Sequence, residues 1–297
     1  MQEMMATDRA GACALETPDG VELRHYSPTI GTEVHGIDLS EELSPEVVSF
    51  LRALWLERKA IFFRDQQISE EQHIRFGRYF GELEKIPASA NNANPDYPEL
   101  VVFRRGADNT QRENFFHHDV PFRNPPLNGT IALLRICPPV GGDTLFVDMA
   151  AAYAGLSDWL KRGIEGLEAI HRFDTAITDY HTRIEQVTID AMNTKFPPKA
   201  YPVVQTHPET GERMLYVSPG YTDSIVGLSR AESSALLSLL CAQITVPEYQ
   251  CRFRWEENSI AFWDNRAVTH YACFDYEGSD RKLDRVVVVG DRPWPTA

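Results

Sequence analysis

Phe115-Phe116-His117-His118-Asp119-Val120-Pro121-Phe122 is the stretch from which this chain is read. Aromatic and branched residues flank the polar triplet, so a strand is predicted over Phe115 to Val120. Side chains alternate along a strand. His117 and Asp119 therefore share one face, and His118 points to the other. Side chains two residues apart on one face can reach the same ion. Burying a carboxylate among aromatics without a cation is costly, which favours a metal here. His118 reads as a packing residue or as a hydrogen-bond partner behind the ligands.

A third ligand must come from elsewhere, and His270 supplies it. It follows a predicted strand and polar turn, Phe262-Trp263-Asp264-Asn265-Arg266. Arg281 and Arg285 come next, four positions apart. In an extended strand that spacing keeps both on one face, about 13 Å apart. Two histidines and one carboxylate can occupy one face of an octahedral Fe(II), leaving the other for a cosubstrate and O2. The arginines suit an organic acid that chelates such an iron; salt bridges to Asp280 and Asp284 are the bland alternative. His207-Pro208-Glu209 has the same H-x-acid form, but it sits in a Pro/Gly turn and reads as a hairpin. His25, His35, His73, His171 and His181 have no matching acid and read as structural or solvated.

The 297 residues suffice for one large α+β domain, and 43% hydrophobic with 24% charged residues is ordinary for a globular chain. A net charge of -14 repels phosphate backbones, so no nucleic-acid partner is expected. Five cysteines without a C-x-x-C fit reduced thiols in the cytoplasm. The first twenty residues read as a loose leader without an apolar signal core. No apolar run is long enough to span a bilayer. Residues 21–297 are expected to form a single domain. The expected partners are a small-molecule substrate and further copies of the chain, as a dimer or tetramer.

Val21 to Leu39 is predicted as a strand pair. Ser44-Pro45 opens a helix with Val47, Val48, Leu51, Leu54 and Trp55 as its apolar stripe. Ala60 to Phe63 is a buried strand, Ser69 to Gln72 a capping box, and Gly81 the stop of that second helix. Strands are predicted at Leu100 to Arg104, Thr130 to Ile136 and Thr144 to Val147, then a helical insert over roughly Ala150 to Asn193. Further strands fall at Val203 to Thr206, Met214 to Val217, Cys251 to Trp255, Ile260 to Trp263 and Arg285 to Val289. Ser229 caps a helix running to about Gln243. Short turn-broken strands with helices in blocks predict an antiparallel barrel or sandwich decorated by helices.

The set of motifs resembles the taurine dioxygenase / 2,4-dichlorophenoxyacetate dioxygenase family of Fe(II)/2-oxoglutarate oxygenases. The resemblance covers about Gly31 to Pro293. It rests on Gly36-Ile37-Asp38-Leu39, Phe116 to Phe122, Gly141-Gly142-Asp143-Thr144-Leu145-Phe146, Thr206 to Gly211, Trp263-Asp264-Asn265-Arg266, Thr269-His270-Tyr271-Ala272 and Val289-Gly290-Asp291-Arg292-Pro293, in that order. It implies a double-stranded β-helix, or jelly-roll, core with flanking helices. It implies Fe(II) on His117, Asp119 and His270, with 2-oxoglutarate and O2 as cosubstrates. It places Thr144 and Arg281 on the distal carboxylate of 2-oxoglutarate. Arg285 would lie near the iron, against the cosubstrate's other end or an anionic substrate group. An aspartate at 119 argues against the halogenating variant.

The substrate side departs from the taurine pattern. The His and Tyr expected after the second helix are Ile86 and Ser89, and the expected acidic residue falls near Arg112. With Val120 and Arg285, these are the candidate substrate residues, and Arg112 and Lys85 hint at an acidic substrate. Hydroxylation with release of succinate and CO2 is the leading expectation, with desaturation or ring formation as alternatives. A non-catalytic jelly-roll binding protein and a zinc hydrolase are the rivals from other classes.

Overall fold

The structure, a computed structural model, describes residues 15–87, 92–106, 114–173, 186–276 and 278–290. Seven strands form the main sheet: β1 (Glu22–His25), β2 (Thr32–His35), β3 (Ala60–Phe63), β4 (Val101–Arg105), β5 (Gly129–Ile136), β13 (Ile260–Asp264) and β15 (Arg281–Val288). Their spatial order is β1-β2-β3-β13-β5-β15-β4. A smaller sheet holds β6 (Thr144–Asp148) between β12 (Gln250–Phe253) and β14 (Val268–Ala272). Apart from the β2–β3 pair, every named pairing is antiparallel.

Strict alternation decides what each face does. On β3, Ala60 and Phe62 point toward the smaller sheet, and Ile61 and Phe63 point toward the helices. On β5, Ala132 and Leu134 point inward and Ile131 and Leu133 outward; β13 repeats this with Ala261 and Trp263 against Ile260 and Phe262. The two sheets meet through packed rings. Phe62 lies 4.1 Å from Phe253 and 5.5 Å from Phe146, centroid to centroid. Full burial of each such side chain contributes about 1.5–3 kcal/mol. These facing sheets are the jelly-roll core expected from the sequence.

Helices α1 (Pro45–Arg58) and α2 (Glu70–Arg78) cover the outer face of the main sheet. Their caps are those read from the sequence: Ser44 accepts from the Val47 amide, and Ser69 and Gln72 form a capping box. Helix α2 ends at Arg78, short of Gly81, because the Tyr79 and Phe80 amides turn back onto Phe76 and Gly77.

The predicted helical insert needs correction. It contains α3 (Met149–Ala154), α4 (Asp158–Ile164) and then a strand, β7 (Glu168–His171), before α5 (Gln186–Lys195). Strand β7 joins β8 (Lys199–Pro202) and β11 (Thr222–Ile225) in a third sheet. A hairpin of β9 (Val204–Thr206) and β10 (Arg213–Leu215) and a helix α6 (Arg230–Ala242), capped by Ser229, complete the fold. Gly166, with a φ of 73°, breaks the helical pattern just before β7, but the strand is only four residues long and the flanking helices masked it. Among the described residues no helix is long and apolar enough to cross a membrane.

Two histidines of this frame make stability depend on pH. His73 and His171 are fully buried, and burial, reinforced at His73 by Arg135, pushes each imidazole down to about 3. The unfolded chain protonates them near 6.5. Their contribution is therefore complete above that value and is lost as pH falls below it, at about 1.4 kcal/mol per pH unit for each ring. Urea midpoints are expected to drop between about pH 7 and pH 5. A flat midpoint across that interval would show that the rings carry protons in the folded chain.

Candidate active site

The H-x-D segment is not a strand, contrary to the sequence reading. Only His117 pairs, in one antiparallel bridge to His270 with both amide–carbonyl bonds at 2.9 Å. Val120 then adopts a φ of 48°, a left-handed conformation that is strained for a β-branched residue. As read from the sequence, β13 ends at Asp264, a turn follows over residues 265–267, and His270 comes next, inside β14; β15 starts at Arg281, so both arginines lie in the strand.

The expected convergence nevertheless holds. Ligating atoms of His117, Asp119 and His270 all lie within 4.8 Å of one another. All three residues are buried. His117 Nδ1–H donates to the Phe115 carbonyl at 2.8 Å, which orients the ring and leaves Nε2 for an ion. Thr130 donates to Asp119 Oδ2 at 2.8 Å, and Arg285 Nη1 donates to Oδ1 at 3.0 Å. Burial by itself would raise the Asp119 carboxyl. Arg285, the two imidazoles and Thr130 together outweigh it and hold the group well below the usual carboxylate range. Burial, with His117 adding to it, pushes His270 down to about 3. An ionised carboxylate beside an uncharged imidazole is the state a metal requires. A buried His₂-carboxylate set of this kind fits Fe(II) held on one side.

His118 packs on Tyr216, the rings tilted and their centroids 4.7 Å apart, so it is the packing residue expected. The motif Trp263 to Arg266 does more than the sequence showed. The Asn265 side chain accepts from the Asp119 amide at 2.8 Å and donates to the Asp119 carbonyl at 2.9 Å. It replaces the strand partner that the H-x-D segment lacks and holds the backbone of a ligand beside the strained Val120. Asp264 is itself held, by Arg266 at 2.7 and 2.8 Å and by His207 Nε2 at 3.0 Å. Arg266 also reaches Glu209 at 2.8 Å. His207-Pro208-Glu209 thus shapes a hairpin and in addition buttresses the turn that carries Asn265. No spacing rule could have disclosed that, since the partners lie 57 residues apart in the chain.

A cavity opens beside the trio. His270, Thr144, Arg281 and Arg285 line it, together with Phe146, Trp255 and Trp263. Trp255 Nε1–H donates to the Thr144 hydroxyl at 2.9 Å, so the hydroxyl proton is left for another acceptor. The Arg281 guanidinium stands 5.7 Å from the Trp255 ring and 5.9 Å from the Tyr276 ring. Cation–π contact of this kind holds the guanidinium plane.

Residues 22–287 match the model of the taurine catabolism dioxygenase TauD, TfdA family. The chain belongs to the TauD/TfdA family. Among its relatives is an α-ketoglutarate-dependent sulfate ester dioxygenase of Pseudomonas putida, 31% identical over 96% of this chain and 95% of that one. An α-ketoglutarate-dependent 2,4-dichlorophenoxyacetate dioxygenase of Cupriavidus pinatubonensis is 32% identical over 89% of this chain and 96% of the relative. The crystal structure of a taurine dioxygenase from Burkholderia xenovorans superposes with a TM-score of 0.78 at 37% identity, covering 92% of this chain and 91% of the other. This TauD/TfdA chain is accordingly an Fe(II)/2-oxoglutarate-dependent oxidoreductase acting on a small molecule.

The substrate side of this TauD/TfdA chain is less completely described. Ser89 and Arg112 lie outside the described residues. Ile86 is half-buried, with its amide on the Pro98 carbonyl at 2.7 Å, and Val120 is half-buried beside Asp119; neither lines the cavity. Lys85 is exposed and lies 3.9 Å from Glu99, in line with its bland reading as a solvated ion pair. An aromatic wall that the sequence reading missed stands on the other flank of His117. The Tyr221 ring is 5.9 Å from His117, and Phe115 and Phe122 lie 5.7 and 5.6 Å from Tyr221. Phe173 and Phe196 extend the wall at 6.1 and 5.7 Å from Phe122. Those rings come from four separate segments, and scattered aromatics carry no periodic signal.

Proposed function

We propose that His117, Asp119 and His270 hold the Fe(II), that Thr144 and Arg281 take the distal carboxylate of 2-oxoglutarate, and that the chain hydroxylates a small acidic organic substrate. The observation that carries this reading is the buried trio, one member of which, His270, lines a cavity that Thr144 and Arg281 also line. When bound, the iron supplies the means to couple O2 reduction to the oxidative decarboxylation of 2-oxoglutarate, so that substrate, 2-oxoglutarate and O2 become hydroxylated product, succinate and CO2. The protein's share is orientation and exclusion of water. Arg281 and Thr144 anchor one end of the dicarboxylate, which leaves its keto-acid end directed to the trio. Asn265 and Thr130 hold Asp119 in place. Trp263 and Phe146, at 4.9 and 6.2 Å from the His270 ring, keep that side apolar. The aromatic wall of Phe115, Phe122 and Tyr221 gives the substrate an apolar surface beside His117. Arg285 gives an anionic group a partner. Anionic substrates are also what the names of the sulfate ester and phenoxyacetate relatives denote.

The test is succinate release from Fe(II)-loaded protein and 2-oxoglutarate, screened with sulfate esters, sulfonates and aryloxy acids. At least one acid is expected to stimulate release, and only in the presence of O2. Substrate turnover that persists without O2 would instead support a zinc-type hydrolase. Ligand binding without any decarboxylation would support a binding protein.

A further inference from the structure

The cavity contains a third arginine. Arg105 ends β4 and is the direct cross-strand partner of Arg281, with Phe103 opposite Leu283 and Val101 opposite Arg285 on the rungs that follow. Residues directly opposite in an antiparallel pair have Cβ atoms about 4.5–5.5 Å apart and share a face, and like charges there destabilise the sheet. Both guanidinium groups are nonetheless withdrawn from solvent, at 7% and 9% exposure, and both line the cavity. Phe103 spaces the set. Its ring has Arg105 at 5.5 Å and Arg285 at 4.7 Å. Among the described residues that line the cavity there are three arginines and no aspartate or glutamate. Arg285 is paired with Asp119, and the Arg105–Arg281 rung makes the other end of the cavity cationic.

The rungs also set a direction. Arg285 marks the end at Asp119, 3.0 Å away. The Arg105–Arg281 rung lies four residues along the strand, about 13 Å off. A carboxylate placed there has two oxygens and about four lone-pair sites, enough for two guanidinium groups and the Thr144 hydroxyl together. We propose that Arg105 is a cosubstrate-binding residue, which joins Arg281 on the distal carboxylate of 2-oxoglutarate and selects dicarboxylic over monocarboxylic 2-oxo acids. This rests on the assignment of the cavity to 2-oxoglutarate.

Calorimetric titration of the full chain loaded with Mn(II), without O2, tests both levels. The parent is titrated with 2-oxoglutarate and with 2-oxobutyrate, and then Arg105→Gln and Arg105→Lys are compared. Losing one charge-assisted contact is expected to weaken 2-oxoglutarate about 10- to 100-fold in Arg105→Gln, with Arg105→Lys in between. Mn(II) affinity and 2-oxobutyrate affinity are expected to stay at the parent's values, which a merely misfolded variant could not achieve. Unchanged 2-oxoglutarate affinity in Arg105→Gln overturns the role of Arg105 alone. Equal loss for both 2-oxo acids overturns the selectivity. A parent that binds no 2-oxoglutarate overturns the assignment of the cavity itself.

Discussion

Asp119→Ala is expected to abolish the weak visible band that anaerobic Fe(II) and 2-oxoglutarate give with the parent, and to cut turnover by about 10³-fold or more. Asp119 is the single anion of the trio, and its carboxylate is oriented from three sides. Thr130 holds Oδ2 at 2.8 Å, Arg285 holds Oδ1 at 3.0 Å, and Asn265 fixes its backbone. Outer hydrogen bonds of this type are themselves worth about 10–100-fold in metal affinity, so removal of the ligand they serve must exceed that. The substitution also leaves Arg285 as an unbalanced cation beside the two imidazoles, which repels the metal. Because Asp119 is ion-paired in a buried setting, a thermal melt of the same preparation belongs in the measurement. The melt separates lost metal from lost fold. An unchanged band in a folded variant would mean that the ligands are misassigned.

The second large effect is expected from Arg281→Ala, with a 2-oxoglutarate requirement raised about 10- to 100-fold and iron affinity close to that of the parent. The split follows from place. Arg281 lines the cavity, one side of its guanidinium packed against Trp255 and Tyr276, whereas the charge that meets Asp119 is Arg285. Steady-state 2-oxoglutarate curves at saturating iron, set beside metal titrations of the same protein, give both numbers. Equal 2-oxoglutarate use by variant and parent would remove Arg281 from the anchoring role. A matching loss of iron affinity would show that the arginine acts through the ligands instead.

How much of this was legible beforehand varies residue by residue. The caps at Ser44, Ser69 and Ser229 are local chemistry, and each forms where it was read. The pairing of His117 with Asp119 was read for a reason that proved incomplete. They do face one point, but through an irregular turn clamped by Asn265 rather than through a strand's alternation. Arg281 and Arg285 share a face because β15 is longer than its apolar run suggested, the charged residues at its start being paired with β4. Ile86 and Val120 were placed by counting along a motif, and neither lines the cavity where His270 and the arginines meet.

By itself the sequence determined which side chains were available and in what order: a metal-binding trio, two arginines on one strand, alternating faces for two facing sheets, and an acidic surface. Hydrophobic period and capping are properties of neighbours along the chain, so they can be read from it. Only the tertiary structure decided that His117 bridges to His270, that Asn265 grips the backbone of Asp119, and that Arg105 stands across from Arg281. Those contacts join residues more than a hundred positions apart. Strand register sets the last, and the packing of loop and turn segments against one another sets the first two; both follow from how the whole core packs rather than from any local run of residues.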